Sequence, residues 1–66
     1  MEKEKLKQRR ENLGLTQTDF AKTIGVTATT ISRYETGLTT IPKYMDFVLE
    51  ALEIRQMKKF QKQHDG

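Results

Sequence analysis

Ala28, Thr29, Ser32 and Arg33 fall within one short stretch of the chain, and Thr27 stands directly before them. Two methyl-bearing small side chains, two hydroxyls and a guanidinium suit the reading of nucleobase edges. Alanine and the threonine methyl can meet a thymine methyl, the hydroxyls can donate or accept, and Arg33 can bind guanine in bidentate fashion. This is recognition chemistry rather than bond-breaking chemistry. Cysteine is absent, which excludes a thiolate zinc site, a cysteine nucleophile and a disulfide framework. The one histidine, His64, sits in the polar tail Gln63-His64-Asp65-Gly66 and reads as a solvated end rather than a metal ligand. No nucleophile stands with a base, and neither paired carboxylates nor a glycine-rich phosphate loop occurs, so we expect no enzyme, cofactor or metal. Single-stranded RNA binding is also disfavoured, since no exposed aromatic pair stands ready for base stacking.

A row of small recognition residues works only when rigid elements present it. Apolar residues recur at helical intervals and no alternating run bounded by turn residues occurs, so the predicted fold class is all-α. The first helix is expected over Lys3 to Leu13, with Leu6 and Leu13 inward and Gly14 at its end. Thr16, with Asp19 three residues on, approximates a capping box built with the shorter acid. The second helix carries Phe20, Ala21 and Ile24 inward and ends at Gly25. After Val26, Thr27 caps a third helix running through Thr30, Ile31 and Tyr34 to Glu35, and Thr36-Gly37 ends it.

Leu38 to Ile41 reads as a loop, and Pro42 suits a first helical turn, so a fourth helix is expected to begin near Ile41. It bears one stripe at Met45, Val48, Leu49 and Leu52, and a second at Phe47, Ala51, Ile54, Met57 and Phe60. The second stripe outlasts a small core; one long helix or two shorter ones fit, and we read an extension of the fourth. From Gln61 onward no apolar anchor remains and fraying is expected. The expected architecture is a compact bundle of four to five helices, a single domain over 1–66 with its core about 3–56 and its tail about 61–66.

The chain has 66 residues, a formal charge of +3 and a pI near 9.4. That size holds one domain near the lower limit for an unaided apolar core. Lys3, Lys5, Lys7, Arg9 and Arg10 crowd the first segment and Arg55, Lys58, Lys59 and Lys62 the last. They suit a polyanionic partner. Interleaved Glu2, Glu4, Glu11, Asp46, Glu50 and Glu53 equally suit two solvated helix faces with spaced opposite charges. No apolar run is long enough for a signal peptide or membrane span, so a soluble, cytoplasmic protein is expected.

The most specific feature is the pair of short helices from Gln17 to Glu35. Ala21 is small where the two cross closely, Gly25 relieves the turn, and Phe20, Ile24, Ile31 and Tyr34 fix the crossing. Ile31 and Tyr34 bury one face of the third helix, leaving Ala28, Thr29, Ser32 and Arg33 outward. The segment from about Arg10 to Pro42 resembles the lambdoid phage repressor and Cro family, the Xre-type group of bacterial and phage regulators. The likeness is carried by Leu13-Gly14-Leu15-Thr16-Gln17, Ala21, Gly25-Val26-Thr27 and Ile31-Ser32-Arg33-Tyr34-Glu35-Thr36-Gly37.

The resemblance implies a lambda-repressor-like domain that binds double-stranded DNA sequence-specifically as a transcriptional regulator, a repressor. Its recognition helix, about 28–35, lies in the major groove, and two copies sit on a pseudo-palindromic operator. It implies that Ala28, Thr29 and Arg33 face base edges with Thr27 and Ser32 beside them, and that Gln17 bonds a phosphate. Arg10 and Glu35 match a partly buried ion pair, with Arg10 also near the phosphates, while Ala21, Gly25 and Ile31 are structural. Thr39, Thr40, Lys43 and the amides at the start of the fourth helix match a phosphate-gripping loop. Relatives often carry several basic residues where this chain has Leu38-Thr39-Thr40-Ile41, a loss the basic first helix would offset. Ile54, Met57 and Phe60 are expected to form a homodimer contact, the alternative being that Met57 and Phe60 fold back over the first helix. A protein-interaction module with this fold, such as an antitoxin, antirepressor or polymerase-binding factor, is the competing function. With no room for a sensor domain, control by the protein's own concentration or by a regulatory protein partner is expected.

Overall fold

The computed structural model describes the backbone of residues 1–65 and the side chains of residues 1–58. The side chains of Phe60 and His64 lie outside the described residues, while the backbone from Gln61, where fraying was expected, is helical through Asp65. Four helices follow in order: α1 (Lys3–Asn12), α2 (Gln17–Ile24), α3 (Ala28–Thr36) and α4 (Tyr44–Asp65). The segment after Leu52 is thus a continuation of α4 rather than a fifth helix.

The helix ends follow from local chemistry. Gly14, Gly25 and Gly37 take φ of 75°, 81° and 82°, left-handed values at which a side chain is strained. The Thr16 hydroxyl accepts from the Asp19 amide at 3.0 Å, the forward bond of a capping box. The Thr27 hydroxyl accepts from the Thr30 amide at 3.2 Å and caps α3. The start of α4 departs from expectation by three residues. The Pro42 carbonyl accepts from the Met45 amide at 3.1 Å, so Pro42 precedes the first turn, and Ile41 is buried in the core instead of opening the helix.

Leu6, Phe20, Ala21, Ile31, Tyr34, Ile41, Met45 and Leu49 form the buried core, ringed by half-buried Leu13, Leu15, Ile24, Val26, Ala28 and Leu52. All four helices contribute. On α1, however, the buried residues are Leu6 and Arg10 alone, and one leucine cannot orient a helix by apolar burial.

Polar bonds complete the orientation. Arg9 donates to both Glu53 carboxylate oxygens, from Nε at 2.9 Å and Nη2 at 2.8 Å, and from Nη1 to Asp46 at 2.6 Å. The sequence suggested solvated faces for these charges; instead they tie α1 to α4. The hydrogen bonds that Arg9 donates to Glu53 and then to Asp46 raise the Arg9 pKa, and the same Glu53 contact holds Glu53 below its ordinary range. Arg9 and Glu53 are half-buried and Asp46 is exposed, so solvent still screens the cluster and each pair contributes about 1 kcal/mol.

Candidate nucleic-acid interface

Helix α3 presents two faces. Ile31 and Tyr34 are buried, while Thr29 and Arg33 are exposed and Ser32 is half-buried between them. Ala28 is also half-buried and packs against the core, where an outward position was expected. It lies one turn before Ile31 and so borders the buried face. Thr27 has its hydroxyl engaged in the α3 cap and in a 2.9 Å bond with the Thr30 hydroxyl. Thr29 and Arg33 are therefore the most open of the residues expected from sequence to face bases, with Ser32 beside them.

Behind this face lies a polar network. Arg10 donates from Nε to Glu35 Oε2 at 2.7 Å, from Nη2 to Glu35 Oε1 at 3.2 Å, and from Nη1 to the Leu15 carbonyl at 2.7 Å. All three guanidinium nitrogens are thus occupied inside the protein. The two side chains are only 8% and 5% exposed, which makes this a desolvated ion pair rather than a surface one. Burial pushes the Glu35 carboxyl up, but hydrogen bonds from Arg10 and then Gln17 outweigh it, and the net shift is downward. The Glu35 hydrogen bond likewise raises Arg10 against the opposing effect of burial. Among the described residues no buried side-chain nitrogen or oxygen lacks a partner.

Gln17 joins this network, donating from Nε2 to Glu35 Oε1 at 3.1 Å. The sequence suggested a phosphate role without this partner. One amide hydrogen is spent on Glu35, which fixes the side chain at the first turn of α2 and leaves the second hydrogen for another acceptor. Network and recognition helix are coupled, because Glu35 belongs to α3 and Arg10 to α1.

Thr39, Thr40 and Lys43 are all exposed on the loop between α3 and α4. The Thr39 amide donates to the Arg33 carbonyl at 3.3 Å, closing the C-terminus of α3. Leu38 is 80% exposed beside it, so the loop has an apolar tip.

Basic groups reach the same end of α3 from α1. A Cβ built on Gly37 would lie 3.3 Å from Lys3 Cδ and 3.6 Å from its Nζ, so the Lys3 side chain drapes over the end of the recognition helix. Lys7 is near enough to Glu35 to help lower its carboxyl. Lys3, Lys7 and Arg10 recur at spacings of four and three on one side of α1. That spacing was legible in the sequence, but which face met α3 was not.

On the far side of the domain, Phe47, Ile54 and Met57 are 72%, 46% and 62% exposed. Met57 therefore does not fold back over α1; for Phe60 that alternative lies outside the described residues. Among the described residues no group of three or more histidine, cysteine or acidic side chains is placed to hold a metal ion. No described helix is long and apolar enough to cross a membrane.

A family model described as Helix-turn-helix matches residues 6–47, a span that runs from Leu6 on α1 through α2 and α3 to the first turn of α4. No curated protein and no solved structure matches the chain. With nearly two thirds of its length matched, and with the α2–α3 pair built as described, the chain belongs to the Xre/lambda-repressor-like helix-turn-helix family of DNA-binding regulators.

Proposed function

We propose that this protein reads a specific double-stranded DNA sequence by placing α3 in the major groove and acts as a transcriptional repressor by occupying its site. The observation that carries the reading is the division of α3. One face is locked by Ile31, Tyr34 and the buried Arg10–Glu35 pair; the other offers Thr29, Ser32 and Arg33 to bases. In this reading Thr27 and Ala28 approach the groove from the start of α3, adding methyl contacts at its edge.

Phosphates are held by the free amide hydrogen of Gln17, by the exposed Thr39, Thr40 and Lys43, and by Lys3 at the end of α3. Arg10 acts through Glu35 and Gln17 more than by direct contact, because it is buried and each of its three guanidinium nitrogens already donates inside the protein. Two copies, joined through α4 by Ile54 and Met57 with Phe60 beyond them in sequence, place recognition helices about 34 Å apart on an inverted repeat. The setting is the cytoplasm of a bacterium or phage-infected host. The exposed apolar residues of α4 also support a second reading, in which this face binds a regulatory protein partner of the antitoxin or antirepressor kind.

Selection of bound sequences from a random duplex DNA library, with the purified chain at moderate salt, tests the proposal. Enrichment of inverted half-sites one helical turn apart is the expected result. Retention without enrichment, or none, overturns it in favour of the protein-interaction reading.

A further inference from the structure

Helix α4 turns Met45, Leu49 and Leu52 toward the core. Phe47, Ala51, Ile54 and Met57 recur at spacings of four, three and three on the opposite side and are all exposed. An apolar row of this kind, continuing past the last core contact, calls for a partner surface. The charges flanking it select the partner. Asp46, Glu50 and Glu53 lie toward the start of the helix, and Arg55 and Lys58 toward its middle.

Arg9 engages Asp46 and Glu53 on the α1 side. Glu50 and Lys58 are exposed, and neither has an ion-pair partner among the described residues. They stand four residues before and four after Ile54, close to the middle of the apolar row. We propose that α4 pairs antiparallel with α4 of a second copy about a two-fold axis at Ile54, with Glu50 of each copy meeting Lys58 of the other. The inference rests on the homodimer reading above and assigns its orientation and register.

In this register Ile54 faces its own counterpart on the axis, and the small Ala51 faces the larger Met57 of the second copy. A two-fold interface requires such self-complementarity, with residue i meeting j and j meeting i. A parallel alignment in register would set Glu50 against Glu50 and Lys58 against Lys58, repelling on both sides, and would align the two helix dipoles unfavourably. The seam is short beside the large interfaces of obligate dimers. The dimer is therefore reversible and dissociates on dilution.

Sedimentation equilibrium of the full chain without DNA, over a range of protein concentration, tests the register. The comparison uses wild type, Glu50→Lys, Lys58→Glu and the double reversal, with helicity checked for each. Each single reversal turns two attractive pairs into two repulsive ones and is expected to weaken dimerisation by about tenfold, while the double reversal restores it. Ile54→Cys is expected to form a disulfide-linked dimer on mild oxidation, and Lys58→Cys is not.

Dimers indifferent to charge reversal, or crosslinked equally through Lys58→Cys, overturn the register while the dimer stands. A chain monomeric at every concentration overturns the dimer itself. Since no DNA is present, neither result depends on whether α3 reads bases.

Discussion

Replacing Glu35 by leucine removes one half of the ion pair that joins α1 to α3. Arg10 would be left as a cation whose residue is only 7% exposed, keeping the Leu15 carbonyl as its sole remaining partner. Breaking a buried pair from one side costs about 3 to 5 kcal/mol. Native stability of about 0.05 to 0.15 kcal/mol per residue gives a chain of this size roughly 3 to 10 kcal/mol in all. Glu35→Leu is therefore expected to remove from about a third to all of the domain's stability. The double variant Arg10→Met, Glu35→Leu removes both charges and leaves similar volume, so its stability should lie within about 2 kcal/mol of wild type or above it. Urea denaturation followed by far-ultraviolet circular dichroism, closed as a double-mutant cycle, measures both. A single variant that loses less than about 1 kcal/mol would show that the pair is not desolvated. A double variant as unstable as the single one would show that the stranded charge is not the cause.

Acid should unfold the protein through its depressed carboxylates. Glu35 and Glu53 are held below their ordinary values in the fold, so the unfolded chain binds more protons. Their stabilisation is complete above the unfolded value of about 4.3 and is lost as pH falls through the lower folded values. Glu53→Gln should flatten that dependence, and an acid titration of denaturation midpoints identical to wild type would contradict it. Thr27→Ala should cost about 1 kcal/mol of stability through loss of the α3 cap; no change in the urea midpoint would count against the capping bond. Lys3→Ala should weaken DNA binding equally on all sequences and lower the slope of log affinity against log salt by about 0.9, whereas an unchanged slope places Lys3 away from phosphate. Arg33→Ala should lose discrimination between operator and random DNA more than total affinity, and an equal loss on both makes it a phosphate contact.

What the sequence discloses here is what acts over a few residues. Gly14, Gly25 and Gly37 announce turns because only a residue without Cβ takes positive φ at little strain, and Thr16 and Thr27 announce caps because the backbone amides that donate to their hydroxyls lie three residues on. The buried face of α3 was equally legible, since Ile31 and Tyr34 fall one turn apart. Ala28 was misplaced because a residue at the border of a buried face is assigned by its neighbours across the crossing, not by its own spacing. The start of α4 was misread for a related reason: Ile41 is drawn into the core by tertiary contact, and the helix begins only after Pro42 has closed its turn.

The Arg9 cluster was invisible because its partners lie 37 and 44 residues away, and an interleaved run of charges looks the same whether it is solvated or crosslinked. That omission bears on function. With Leu6 as its one buried apolar residue, α1 takes its direction from two adjacent arginines, Arg9 bound to α4 and Arg10 bound to α3. Lys3 lies against Gly37 at the far end of the helix these arginines anchor, and Gln17 is held by its bond to Glu35. The surface proposed to face DNA is thus held by electrostatics behind it. Apolar substitutions around Leu6 should change stability with little effect on binding per folded molecule, whereas loss of either arginine should change both.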